Sequence, residues 1–221
     1  MKNLPFYALL LTLLCSCEKN TEVSSPEIEI FNIVKDSISL TNTQNKSINV
    51  RDIITREMIN TASIPLLFVE KSNGKNGTMT TYPGINLEET WYGKDGTTIS
   101  LLNGEFISTR GLGDDIMNTV LPKYLSYDER TMSPYDKIIS FLTPENKIHN
   151  VFLSCVMARD TEYSDIEIFD LKHKVLKYTE KCGSGSNNIE NIFWQNLSGN
   201  TIKSNQWHSD TLGYVIIMRL Y

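Results

Sequence analysis

The chain has 221 residues, 21 Lys and Arg against 26 Asp and Glu, and a formal net charge of −5. A mildly acidic chain without a basic cluster excludes a nucleic-acid partner, because binding to phosphate rewards Lys and Arg that neutralise it. The length suits one domain with a sizeable core.

The first element in chain order is an export signal. Lys2 gives a positive start, and an apolar run follows that is too short for the roughly 20 residues of a membrane-spanning helix. It ends in Leu14-Cys15-Ser16-Cys17, which resembles the bacterial lipobox. There a small residue precedes a cysteine whose thiol is alkylated and which becomes the new N-terminus. Cys17 is the better acceptor, since Ser16 before it is small, whereas Cys15 follows Leu14. Setting aside residues 1–17 leaves 204 residues and moves the net charge to −6, since Lys2 is the one charge lost. Several acyl chains hold a protein stably on a membrane where one would be marginal. Glu18 is not the aspartate that resembles an inner-membrane retention signal, so the expected location is the outer membrane, facing the periplasm. Residues 18–26 are polar and read as a flexible tether, and 27–221 as a single β-rich periplasmic domain.

Within that domain, Ile28, Ile30, Phe31, Ile33, Val34 and Ile38 recur at helical spacing after Ser-Ser-Pro. A second short helix is expected around Thr55–Asn60, with Asp52 placed to cap it. From Ile64 the pattern becomes β. Ile64–Glu70 and Thr78–Tyr82 flank a Gly/Asn turn, and Glu88–Tyr92, Thr97–Leu102 and Glu105–Thr109 form a meander joined by Asp95-Gly96 and Asn103-Gly104. Asp114 or Asp115 is expected to cap a helix running from Ile116 to about Leu125, and Ser126–Lys147 reads as irregular. Six more strands follow: Val151–Arg159, Asp165–Asp170, Lys174–Glu180, Ile189–Gln195, Thr201–Trp207 and Tyr214–Arg219. The expected fold is mainly β, a large curved antiparallel sheet, sandwich or open barrel with two or three short helices.

Two cysteines remain in the body, Cys155 and Cys182. An oxidising, exported setting favours a bridge between them, with two free buried thiols as the alternative. The strand Asp165–Asp170 lies between their strands in sequence. A bridge therefore needs the two outer strands to be direct neighbours, or Cys182 to fold back. Zinc would want Cys-x-x-Cys pairs, and none exists, so no metal or other cofactor is expected. His149, His173 and His208 have no metal spacing and read as surface histidines. No Gly-x-Ser-x-Gly elbow, phosphate loop or dinucleotide fingerprint is present, so no catalytic residue is assigned. Trp91, Trp207 and Gln206 are the candidate glycan-contacting residues, because sugars bind aromatic faces and planar polar groups; core packing is the alternative for both tryptophans.

The order of several landmarks carries a family resemblance. They are Thr55-Arg56-Glu57-Met58-Ile59, then Trp91…Asp95-Gly96-Thr97…Leu102-Asn103-Gly104…Ile107 to Gly113, then Tyr178 to Cys182, Asn191 to Trp194, and Ser198-Gly199…Lys203 to Trp207. Together with the lipobox this resembles the YjbF/GfcB family of lipoproteins, associated with group 4 capsule and exopolysaccharide operons. The resemblance spans roughly Asn49 to Tyr221. It implies a β domain anchored to the outer membrane by acyl chains, with other polysaccharide-export proteins as partners and no established catalysis. The function expected is an accessory or structural role in capsule or exopolysaccharide export, with a periplasmic carbohydrate-binding module as the alternative.

Overall fold

A computed structural model describes residues 49–220 apart from 63, 82–87, 123–125, 144–146 and 185–186. The signal, Cys17, the tether and the expected helix at Glu27–Ile38 lie outside the described residues. Residues 46–221 belong to one unit.

A single 3-10 turn (Val50–Asp52) leads into helix α1 (Arg56–Thr61). Thr55, not Asp52, caps α1, its side chain accepting from Met58 N. Six strands follow: β1 (Leu66–Lys71), β2 (Asn76–Thr80), β3 (Glu88–Gly93), β4 (Thr98–Leu102), β5 (Glu105–Arg110) and β6 (Ile116–Val120). Helix α2 (Tyr127–Arg130) precedes β7 (Tyr135–Leu142), β8 (Ile148–Arg159), β9 (Ser164–Ile168), β10 (Leu171–Ser184), β11 (Asn187–Asn196), β12 (Thr201–Ser209) and β13 (Gly213–Arg219).

All of these strands join one antiparallel sheet in the order β5-β4-β3-β2-β1-β13-β12-β11-β10-β8-β7-β6, with β9 attached to β10. The sheet curls until its end strands meet. Ile116 N on β6 donates to Thr109 Oγ1 on β5 (2.9 Å), and Arg110 Nη1 donates to Ile116 O (3.1 Å). The result is a nearly closed barrel, one of the expected architectures.

Alternation sorts the side chains to two faces. The inner face holds Leu67, Val69, Trp91, Ile99, Leu101, Leu153, Tyr178, Phe193, Val215 and Ile217. Part of the outer face is also covered. Phe68, Val175, Ile202, Met218 and Leu220 pack with Ile59 of α1 and Ile168 of β9 in a second cluster. Arg56 clips this layer down, donating to Ile168 O (2.6 Å), Phe169 O (2.9 Å) and Leu220 O (3.3 Å).

Three expectations need correction. The segment from Ile116 is a strand, not a helix. Ile116, Val120 and Leu121 stand at the spacing of one helical face, but in the strand, after a bulge between Ile116 and Asn118, Ile116 and Thr119 are buried and Val120 is exposed. The Asp115 carboxylate caps no helix. It closes the preceding loop by accepting from Gly111 N (2.7 Å) and Leu112 N (3.0 Å), while Asp114 takes a positive φ of 44°. The region from Ser126 is not irregular. Ser126 and Glu129 form a reciprocal capping box on α2, and β7 follows.

The neighbourhood of β8 resolves the question about the two cysteines. β10 is fourteen residues long, and both β8 and β9 pair along the same edge of it, end to end. β9 continues β8 after the turn at 160–163. The pair Phe169 and Asp170, both at positive φ (46° and 63°), then makes the tight turn into β10. The strands carrying Cys155 and Cys182 are therefore direct neighbours.

Candidate functional site

The inner face carries four buried charges. Glu105 opens β5 just after the Asn103-Gly104 turn, where Gly104 (φ 89°) lies so close to Thr201 that a Cβ there would stand 2.5 Å from Thr201 Cβ. Lys137 occupies an inward position of β7 between Tyr135 and Ile139, and Glu180 one of β10 between Tyr178 and Cys182. Arg130 enters from the end of α2. None of the four side chains is more than 6% exposed.

They form one chain of contacts. Arg130 pairs with Glu105. Lys137 Nζ lies 3.2 Å from Glu105 Oε2 and 2.6 Å from Glu180 Oε2. Tyr135 Oη donates to Glu180, and Asn191 Nδ2 donates to it at 2.6 Å. Two carboxylates face two cations, so the cluster is neutral and its members satisfy one another, the condition under which buried charge is tolerated. Burial pushes Glu180 up, but Lys137, Tyr135 and Asn191 outweigh it and hold its carboxyl below the usual range. Burial likewise pulls Lys137 down, and the two carboxylates reverse that. Burial and Glu180 together push the Tyr135 phenol up. Glu180, Lys137 and Tyr135 are thus each held in their ordinary ionisation state at neutral pH. The cluster ties α2, β5, β7, β10 and β11 together across the barrel.

A second polar seam closes the wall. Gln206 on β12 accepts from Phe106 N (3.1 Å) and donates to Gly104 O (2.8 Å), so its amide pairs with the β5 backbone as a strand would. His208 Nε2 meets Thr109 Oγ1 at 3.0 Å, and Thr109 also donates to Asp115 (3.3 Å). His208 is fully buried, and its Nδ1 has no hydrogen-bond partner among the described residues. Burial pulls its pKa down to about 4.

The residues singled out in the sequence fall as follows. Cys155 and Cys182 are bridged, at directly opposed positions of β8 and β10. Trp91 is fully buried, with Arg219 over its ring at 5.6 Å and Glu89 accepting from its Nε1 at 3.3 Å, so it offers no platform to a glycan. Gln206 is likewise buried and committed to β5. Trp207 is half-buried and packs edge-to-face on Phe141. The three residues make no common surface. His208 is a core residue, His173 is half-buried within β10, and only His149 is exposed. Reasoning from sequence missed the four charges, although Lys137 and Glu180 each interrupt an inward apolar register, which is the signal that marks them.

The chain is similar in structure to the lipoprotein YmcC from Escherichia coli K12, with a TM-score of 0.66 and 14% identity over 85% of this chain and 94% of that one. A protein with a YmcC-like fold from Bacteroides fragilis NCTC 9343 matches more loosely, with a TM-score of 0.36 and 12% identity over 71% and 92% of the two chains. No curated protein shows significant similarity to the chain. The model of the YjbF family, described as group 4 capsule polysaccharide lipoprotein, matches residues 36–220. From a match of that extent it follows that the chain belongs to the YjbF family of group 4 capsule polysaccharide lipoproteins.

Proposed function

We propose that this protein is an accessory, structural component of capsule or exopolysaccharide export, held on the outer membrane by acyl chains at Cys17 and facing the periplasm. The observation that carries this reading is the filled barrel. Its interior is packed with apolar side chains and a neutral, mutually satisfied charge cluster, so the molecule has outer surfaces and strand edges to offer partners. That suits an adaptor that docks on other export proteins. The carbohydrate-binding alternative loses its main support with Trp91 enclosed.

An in-frame deletion tests the proposal. Surface polysaccharide should disappear and return with the intact gene, while a Cys17→Ser chain should restore little because it is not held at the membrane. Mass spectrometry of the mature protein should find the acylated cysteine. Glycan cleavage by the purified protein, or normal polysaccharide in the deletion strain, would overturn the reading.

A further inference from the structure

Among the described residues, one flank of β8 is open. Its residues Ile148–Cys155 pair with β7, but only 154–159 pair with β10, which ends at its hairpin with β11. The Cys155–Cys182 pair has its Cα atoms 4.0 Å apart, the spacing of a non-hydrogen-bonded pair. The backbone groups of Ser154 and Val156 therefore point at β10. By the period of two, those of Ile148, Asn150 and Phe152 point the same way, past the end of β10. Among the described residues none of these three has a backbone partner on that side. The side chains of Ile148 and Phe152 are each 64% exposed.

Edge strands are ordinarily protected by charge, proline or a bulge. The run Ile148-His149-Asn150-Val151-Phe152 has no Asp, Glu, Lys or Arg, no proline and no register shift against β7. It is also self-complementary. A two-fold axis at Asn150 sets Ile148 opposite Phe152 of the second copy, Asn150 opposite itself, and Phe152 opposite Ile148. The β-branched–aromatic pairs are favourable, and no like charges meet. The outer face agrees. Val120, Ile138 and Phe152 form a row across β6, β7 and β8, as do Leu142 and Ile148, so the pairing would run the first row of one copy into the second row of the other.

We infer that this edge is a dimer interface, in which β8 pairs antiparallel with β8 of a second copy of the chain in the register Ile148 to Phe152. Sedimentation of the full-length chain in detergent tests it. The wild type should be a dimer at raised concentration, and Phe152→Glu and Ile148→Lys should each give monomers that keep the Cys155–Cys182 bridge and the wild-type melting temperature. The double variant Ile148→Lys/Phe152→Glu sets Lys against Glu across the axis and should restore the dimer. A wild type that stays monomeric, a dimer that survives both single changes, or a double variant that remains monomeric would overturn the inference. So would a monomer that captures a foreign extended peptide at this edge.

Discussion

Cys155 on β8 stands directly opposite Cys182 on β10, and the bridge between them spans 27 residues of chain. The same stretch contains β9 and the tight turn at Phe169-Asp170, so the disulfide fastens the base of an interrupted hairpin. Closing a loop of this length contributes roughly 3 kcal/mol by restricting the unfolded chain. Replacing both cysteines with serine should lower the denaturation midpoint accordingly without changing the fold. Urea melts of the oxidised protein and the double variant measure the difference, and equal midpoints would contradict it.

Lys137 holds two buried carboxylates at once. Lys137→Met should cost about 3–5 kcal/mol, the penalty for leaving buried charge unpaired. Adding Glu180→Gln should recover part of it, because the new amide can accept from Asn191 through its oxygen and donate through its nitrogen to Tyr135 Oη, whose hydroxyl then accepts. Chemical denaturation of wild type, single and double variants gives the comparison, and additive losses would argue against the coupling.

The same cluster sets limits on stability with pH. Glu180 titrates lower in the folded state than its ordinary 4.5, so its contribution is complete above that value and fades as pH falls through the folded pKa. Lys137 titrates above its ordinary 10.5, so its share is complete below 10.5 and fades as pH rises through the folded pKa.

His208 adds a separate acid response. Its pKa falls from 6.5 to about 4 on folding, so the neutral ring's contribution is whole above 6.5 and is lost progressively as pH drops toward 4. The full effect is roughly 3 kcal/mol. His208→Gln, which can still meet Thr109, should flatten the stability profile between those values. A profile unchanged from wild type would show that the histidine does not drive it.

The two tryptophans should separate in a thermal melt run beside a glycan titration. Trp91→Ala empties a fully enclosed site and should destabilise by about 3–5 kcal/mol, whereas Trp207→Ala at a half-buried site should cost less. A natively stable variant of either kind that has lost measurable glycan binding would revive the carbohydrate-binding alternative.

The meander β3–β5 was legible because its turns carry Asp95-Gly96 and Asn103-Gly104, whose backbone needs are local. The strands from β8 to β13 were legible for the same reason. What escaped was set by distant partners. β7 looked irregular because Lys137 sits where an apolar residue belongs, and its reason, Glu180, lies 43 residues further on. β6 looked helical because Ile116, Val120 and Leu121 are spaced as on one helical face, whereas the strand exposes Val120. The pairing of β8 with β10 could not be read, since nothing local says that β9 prolongs β8. His208 escaped too, because its contact with Thr109 is made across the curled sheet.

Gln206 has a consequence for how copies could assemble. Its amide occupies the backbone of β5 at Gly104 and Phe106 from inside the barrel, where a strand of another molecule would have to bind. Had β5 offered a free edge beside that of β8, one copy's β8 could pair with the next copy's β5, and such head-to-tail contacts propagate into fibres. With those positions of β5 filled by the molecule's own side chain, the pairing inferred through β8 uses the same edge on both copies and stops at two.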